Sequence, residues 1–137
     1  MIERELNGAQ YVVTSKLSTF AQLHLARKLG PAIPLIEGLT SDSNKGKDKG
    51  ILAVLMFSHI PDADVDHITR VCLATVFRVQ DGKRVRITTS DGELMFDDIS
   101  MNDMLELTIE VVDWNLGDFF RTALAGLPQM QATPEVG

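Results

Sequence analysis

Apolar residues recur at helical spacing through the last third of the chain, at Met101, Met104, Leu105, Ile109, Val112, Leu116, Phe119, Phe120 and Ala123. Asp103, Glu106, Glu110, Asp113 and Asp118 fill most of the remaining arc. Ser100 suits an N-cap, and Asp103 three residues later complements the positive end of the helix dipole. A helix of this length is roughly 35 Å long, as long as a small domain is wide. The pattern therefore predicts a core assembled on one long C-terminal helix.

Upstream, Tyr11 to Leu17 opens with β-prone Tyr-Val-Val-Thr and reads as a short strand. Thr19 and Gln22 have capping-box spacing, and Phe20, Leu23, Ala26 and Leu29 supply the apolar positions of a following helix. Gly30-Pro31 ends that helix, and a second short one is expected from Ala32 to Leu39. Thr40 to Gly50 contains no large apolar residue and reads as a flexible loop. The uniformly apolar run Ile51 to Phe57 predicts a buried helix, although periodicity alone does not exclude a strand. A further helix opens at Pro61-Asp62 and is expected to reach about Arg78, with Val65, Ile68, Cys72 and Val76 on one face. Val85 and Ile87 alternate with Arg86 and Thr88, Ser90-Asp91-Gly92 turns the chain, and Leu94 and Phe96 begin a return strand. The sum is a mainly helical α+β fold: short N-terminal strand, helices, one β-hairpin and a long C-terminal helix. Residues 1–126 form one expected globular domain with a flexible loop at 40–50, and residues 127–137 a flexible tail.

Charge and composition narrow the function. The net charge is −6, from 19 acidic and 13 basic residues, which disfavours nucleic acid or an anionic membrane as partner. The single cysteine, Cys72, permits no intramolecular disulfide and lies among apolar helix positions, where it would act as a small hydrophobe. No basic region followed by an apolar run opens the chain, and no apolar run approaches the ~20 residues of a membrane span. A soluble cytoplasmic protein is expected.

Candidate chemistry fails on spacing. Asp62-Ala-Asp64-Val-Asp66 resembles the start of a calcium loop, yet His67 holds the glycine position and Leu73 the bidentate glutamate position. His24, His59 and His67 form neither an i, i+4 pair nor close Cys/His spacing with Cys72. Asp97-Asp98 between a strand and a helix start reads as solvation and capping rather than an acid–base pair. Gly46-Lys47 lacks the spacing of a phosphate loop. No catalytic residue, metal site or cofactor is expected. Trp114 is the sole tryptophan; with Val111 it lies off the main apolar stripe, which marks it as core or as a partner anchor.

Leu94-Met95-Phe96-Asp97-Asp98-Ile99, followed by Val112-x-x-Asn115-Leu116-x-x-Phe119-Phe120, resembles the tail assembly chaperones of long-tailed bacteriophages. The Phe20 to Leu29 helix and the Asp62-Ala-Asp64 helix start are also similar, so the resemblance spans Tyr11 to Leu124. It implies a non-enzymatic assembly factor of the host cytoplasm, absent from the mature virion. Such a factor binds the tape measure protein, prevents its aggregation and helps recruit tail tube subunits. The resemblance also implies contact with the tail tube protein through a longer, frameshifted form, of which this chain is the short one. Physical reasoning assigns partner binding to Met101, Met104, Val111, Trp114, Phe119 and Phe120: methionines as adaptable contacts, aromatics as rigid anchors. The alternative is a small acidic helical adaptor or regulator acting through protein–protein contacts.

Overall fold

Asn7-Gly8 and Asp81-Gly82 carry the backbone through positive φ (50° and 83°, 52° and 77°), and each pair closes a two-residue hairpin. A computed structural model describes residues 1–32 and 49–136, with the side chains of 49, 52 and 123–136 outside the description. Strands β1 (Ile2–Leu6), β2 (Ala9–Val13), β3 (Val76–Gln80) and β4 (Lys83–Arg86) form one antiparallel sheet in the order β1-β2-β3-β4. Between β2 and β3 run helices α1 (Thr19–Lys28), α2 (Lys49–Phe57) and α3 (Asp62–Leu73), with a 3-10 turn at Gly30–Ala32. The long helix α4 (Met101–Val136) follows β4 and packs against α2, α3, α1 and β1. The fold is mainly helical α+β, as the apolar pattern predicts.

The sheet is larger than expected from sequence. Ile2–Leu6 pairs along its whole length with Ala9–Val13, giving an N-terminal hairpin in place of one short strand. Helix α3 stops at Leu73, five residues before the expected end at Arg78. Thr75 donates its hydroxyl to the Cys72 carbonyl at 2.7 Å, and Val76 and Phe77 then pair with Val13 and Val12. Val76 is fully buried, so its i+4 spacing from Cys72 matches either assignment. The turn at Ser90-Asp91-Gly92 is present, but its arms make only one bridge, Thr88 with Leu94, flanked by Met95 N–H to the Ile87 carbonyl at 2.8 Å. Gly92 sits at φ 86°, a left-handed conformation that favours glycine, with the Arg70 side chain laid against it.

The expected helix over 32–39 and most of the expected loop at 40–50 lie outside the described residues. Lys49 and Gly50 already belong to α2. The tail expected at 127–137 falls where the helix backbone continues to Val136 and no side chain is described.

Helix α4 is anchored at its start by a polar cluster around the buried Asp103. The Asp103 backbone N–H donates to the Ser100 hydroxyl at 3.1 Å, and the Asp103 carboxylate accepts from the Ser100 N–H at 3.5 Å. Asn7 adds two donations to the same carboxylate, at 2.8 and 2.9 Å, tying the first hairpin to the helix start. Further along, Arg4 reaches Glu110 at 2.9 Å and Glu106 at 3.7 Å, holding β1 along the helix. Between these polar contacts, Leu105, Leu107, Ile109, Val111, Val112, Leu116 and Phe120 enter one core with Tyr11, Leu25, Met56, Ile68 and Val76. A helix surrounded on several sides buries more than one stripe.

Candidate functional site

Apolar side chains left in solvent cluster at two places along α4. At its first turn, Met101 (69% exposed) lies beside Ile51 (61%), Val54 (48%) and Leu55 (56%) of α2. These residues, with Gly50, Asn102 and Leu105, line a groove of about 210 Å³, and none of these described residues is charged. At the other end, Phe119 (61% exposed) lies near Leu23 (53%), and with Ala26, Leu116, Gln22 and Asn115 they line a second groove of about 220 Å³. Phe20 at 77% extends the exposed apolar surface of α1. Eighteen residues separate Met101 from Phe119, five full helical turns, so both face the same side about 27 Å apart.

The composition of α2 explains the first groove. Nine residues rich in Ile, Val, Leu, Met and Phe make a helix that is apolar all round, and packing on α4 covers only one side. Ala53, Met56 and Phe57 enter the core while Ile51, Val54 and Leu55 do not. The expectation of a wholly buried helix at Ile51 to Phe57 is corrected accordingly. Helix α1 is rotated from its expected face. Leu25 and Leu29 are buried, and Phe20 and Leu23 are not.

That rotation is set by Asn115. Its side-chain oxygen accepts from the Leu17 backbone N–H at 2.7 Å and from the Gln22 amide at 3.3 Å, while its own amide donates to the Val111 carbonyl at 2.8 Å. Gln22 also donates to the Leu17 carbonyl at 3.2 Å. These bonds turn Gln22 toward α4, so Leu25 and Leu29 take the inward positions. The cap is Ser18, one residue before the expected Thr19, its hydroxyl accepting from the Ala21 N–H.

Of the residues singled out for partner binding, Met101 and Phe119 are exposed. Met104 and Trp114 are half-buried against the core, and Lys16 lies 5.6 Å above the Trp114 ring. Val111 and Phe120 are 0% and 1% exposed and fill the core, so neither offers surface to a partner in this fold. Phe119 and Phe120, adjacent in sequence, meet edge-on at 5.5 Å from opposite sides of that boundary. Phe20, Leu23, Ile51, Val54 and Leu55 belong to the exposed surface and escaped the sequence reading. For Ile51 to Leu55 the signal was there: a helix with no polar face has more to cover than one neighbour can.

Of the acidic groups considered for chemistry, Asp64 is held by Lys28 at 2.9 Å and Asp98 by Arg78. Arg78 holds Asp98 through two hydrogen bonds, 2.6 and 2.8 Å, and stacks 4.5 Å from the Phe96 ring centroid. That guanidinium keeps the Asp98 carboxyl below its ordinary range. Among the described residues, no three His, Cys, Asp or Glu side chains converge as a metal site, and no helix is long and apolar enough to cross a membrane.

Cys72 is buried, and burial pushes its thiol up to about 12. At pH 8 the folded protein should resist iodoacetamide and label promptly once unfolded in guanidinium, as mass spectrometry would record. Prompt native labelling would contradict the burial. The folded-state value lies above the unfolded one of ~8.5, so this thiol favours folding fully below that pH. The contribution is lost as pH rises from there through about 12.

No curated protein and no solved structure matches this chain. A family model does, over most of its length, from the turn of the first hairpin into the C-terminal helix. Residues 7–128 match the model of the phage tail assembly chaperone protein, TAC, and the chain belongs to that family.

Proposed function

We propose that this protein binds the tape measure protein in the host cytoplasm, keeps its apolar helices from aggregating, and helps recruit tail tube subunits around it. One observation carries the reading: six large apolar side chains on α1, α2 and α4 (Leu23, Ile51, Val54, Leu55, Met101 and Phe119) stand about half or more exposed in two grooves on one side of α4. Apolar grooves of that kind accept the apolar stripe of an amphipathic helix. Met101 on the rim of the first groove is unbranched and adapts to more than one such stripe, as a holdase requires. The net charge of −6 keeps a protein with so much exposed apolar surface from self-associating through it.

The role is non-enzymatic. Its chemistry is reversible burial, and the complex must come apart when tube subunits replace the chaperone, which suits contacts that are apolar and few. The chaperone leaves before the virion is complete. Contact with the tail tube protein belongs to a longer, frameshifted form of the same chain.

The test is co-expression with the tape measure protein of the same genome, followed by size-exclusion chromatography. The wild-type chain should co-elute with its partner. Val54→Glu combined with Met101→Glu places two charges in the first groove and should weaken the complex at least tenfold, since burying unpaired carboxylates is costly. Both positions are exposed, so the fold should be unchanged, as circular dichroism would show. Undiminished co-elution of the double variant would remove the first groove from the interface.

A further inference from the structure

The turn of the first hairpin is bonded to the start of α4 through one side chain. Asn7 donates its amide to both oxygens of the Asp103 carboxylate, at 2.8 and 2.9 Å. Asp103 is 2% exposed and forms no ion pair among the described residues. Its side chain otherwise accepts only from the Ser100 N–H, at 3.5 Å. The Asn7 amide thus supplies the two short hydrogen bonds on which this buried charge depends.

The turn alone does not ask for asparagine. Asn7 and Gly8 sit at φ 50° and 83° in a two-residue hairpin loop, where Asp-Gly serves as well as Asn-Gly. Asp103 makes the difference, because an aspartate at position 7 would set one carboxylate against another.

The same pair is chemically labile. Gly8 has no side chain to obstruct its own backbone nitrogen, and nothing lies within 4 Å of where a Cβ would stand. Once that nitrogen gives its proton to solvent, it can attack Asn7 Cγ. The new C–N bond closes a cyclic imide, and the side-chain nitrogen leaves as ammonia after taking up a proton. Water then opens the imide to aspartate or isoaspartate. The net change is one water consumed and one ammonia released, with nothing oxidised or reduced. Asn44, Asn102 and Asn115 are followed by Lys, Asp and Leu, whose side chains hinder the same attack. Asn7 itself is exposed.

We propose that Asn7 is a deamidation site and that its conversion releases the turn of the first hairpin from α4. Either product exchanges the donors for a negative charge and leaves the buried carboxylate facing a like one. Isoaspartate also adds a backbone carbon to the loop, which disturbs the hairpin register. Arg4 still holds Glu106 and Glu110 further along, so β1 stays on the helix while its turn end comes loose. An exposed Asn-Gly turn is ordinarily only a turn; the buried carboxylate gives its conversion a structural effect.

Incubation of the purified chain at mildly alkaline pH, followed by peptide mapping in a mass spectrometer, tests the chemistry. The peptide carrying Asn7 should gain the mass of an amide-to-acid exchange while those carrying Asn102 and Asn115 do not. A synthetic peptide of residues 3–12 sets the clock, and a chain whose Asn7 is intact after that peptide has fully converted overturns the assignment. For the release, Asn7→Asp should lower Tm by about 5 °C and speed hydrogen exchange at the Met104 amide, in the first turn of α4. Asn7→Gly suits the turn and loses the donors without adding charge, so it should fall between. Exchanging the pair, Asn7→Asp with Asp103→Asn, returns a donor across the gap and should recover most of the loss. An Asn7→Asp chain with the wild-type Tm, or an exchange that recovers nothing, overturns the release.

Discussion

Phe120→Ala is expected to lower stability by about 4 kcal/mol, while Phe119→Ala, one residue away, costs under about 1 kcal/mol. Phe120 is 1% exposed, and its truncation removes a ring from the contact between α4 and the rest of the core and leaves a cavity the neighbours only partly fill. Phe119 is 61% exposed and loses mainly its edge contact with Phe120. For a chain of this length the first change corresponds to a fall in Tm of roughly 12–15 °C and the second to about 3 °C or less. Thermal unfolding followed by circular dichroism measures both. In partner binding the order reverses, with Phe119→Ala weakening co-elution and leaving the fold intact. Equal stability losses for the two variants would contradict the boundary between core and surface drawn here.

Asn115→Ala is expected to cost about 2 kcal/mol, near 7 °C in Tm, more than the loss of one half-exposed polar residue would ordinarily bring. The Leu17 N–H donates to no other acceptor among the described residues, and Gln22 loses one of its two partners. Asn115→Asp separates the contributions. It keeps an acceptor for Leu17 and Gln22 and gives up the donation to Val111, so it should recover about half of the loss. The consequence reaches the exposed surface, because Asn115 sets the rotation of α1 and so keeps Leu23 outward beside Phe119. Protection of the Leu17 amide from hydrogen exchange should fall in the alanine variant and persist in the aspartate one.

The long helix was legible because it carries its own signals. Ser100 and Asp103 mark its start and the apolar spacing marks its buried arc. The Asn115-Leu116 pair that carries the family likeness was visible too, but its physical role was not. Nothing in sequence says that a helix asparagine reaches a backbone N–H 98 residues earlier. The first hairpin was missed although Asn7-Gly8 between Ile2–Leu6 and Ala9–Val13 is a strong two-residue turn signal. Arg4 and Glu5 obscured the alternation, since Arg4 faces inward only because Glu106 and Glu110 await it. The end of α3 was misplaced because Val76 satisfies both the helical and the strand period. Sequence places Val111 and Phe120 at the interface only if α4 buries one narrow stripe. Strand β1, α1, α2 and α3 all pack on it, so the buried arc is wider. The exposed apolar surface depends on how neighbours are rotated, which single-helix patterns do not contain.

The most direct measurement is the soluble fraction of the tape measure protein, expressed from the same genome with and without this chain. The account predicts that the tape measure protein pellets alone and stays soluble beside the wild-type chain, with the benefit largely lost for Val54→Glu combined with Met101→Glu. A tape measure protein that pellets equally with and without the wild-type chain would contradict it.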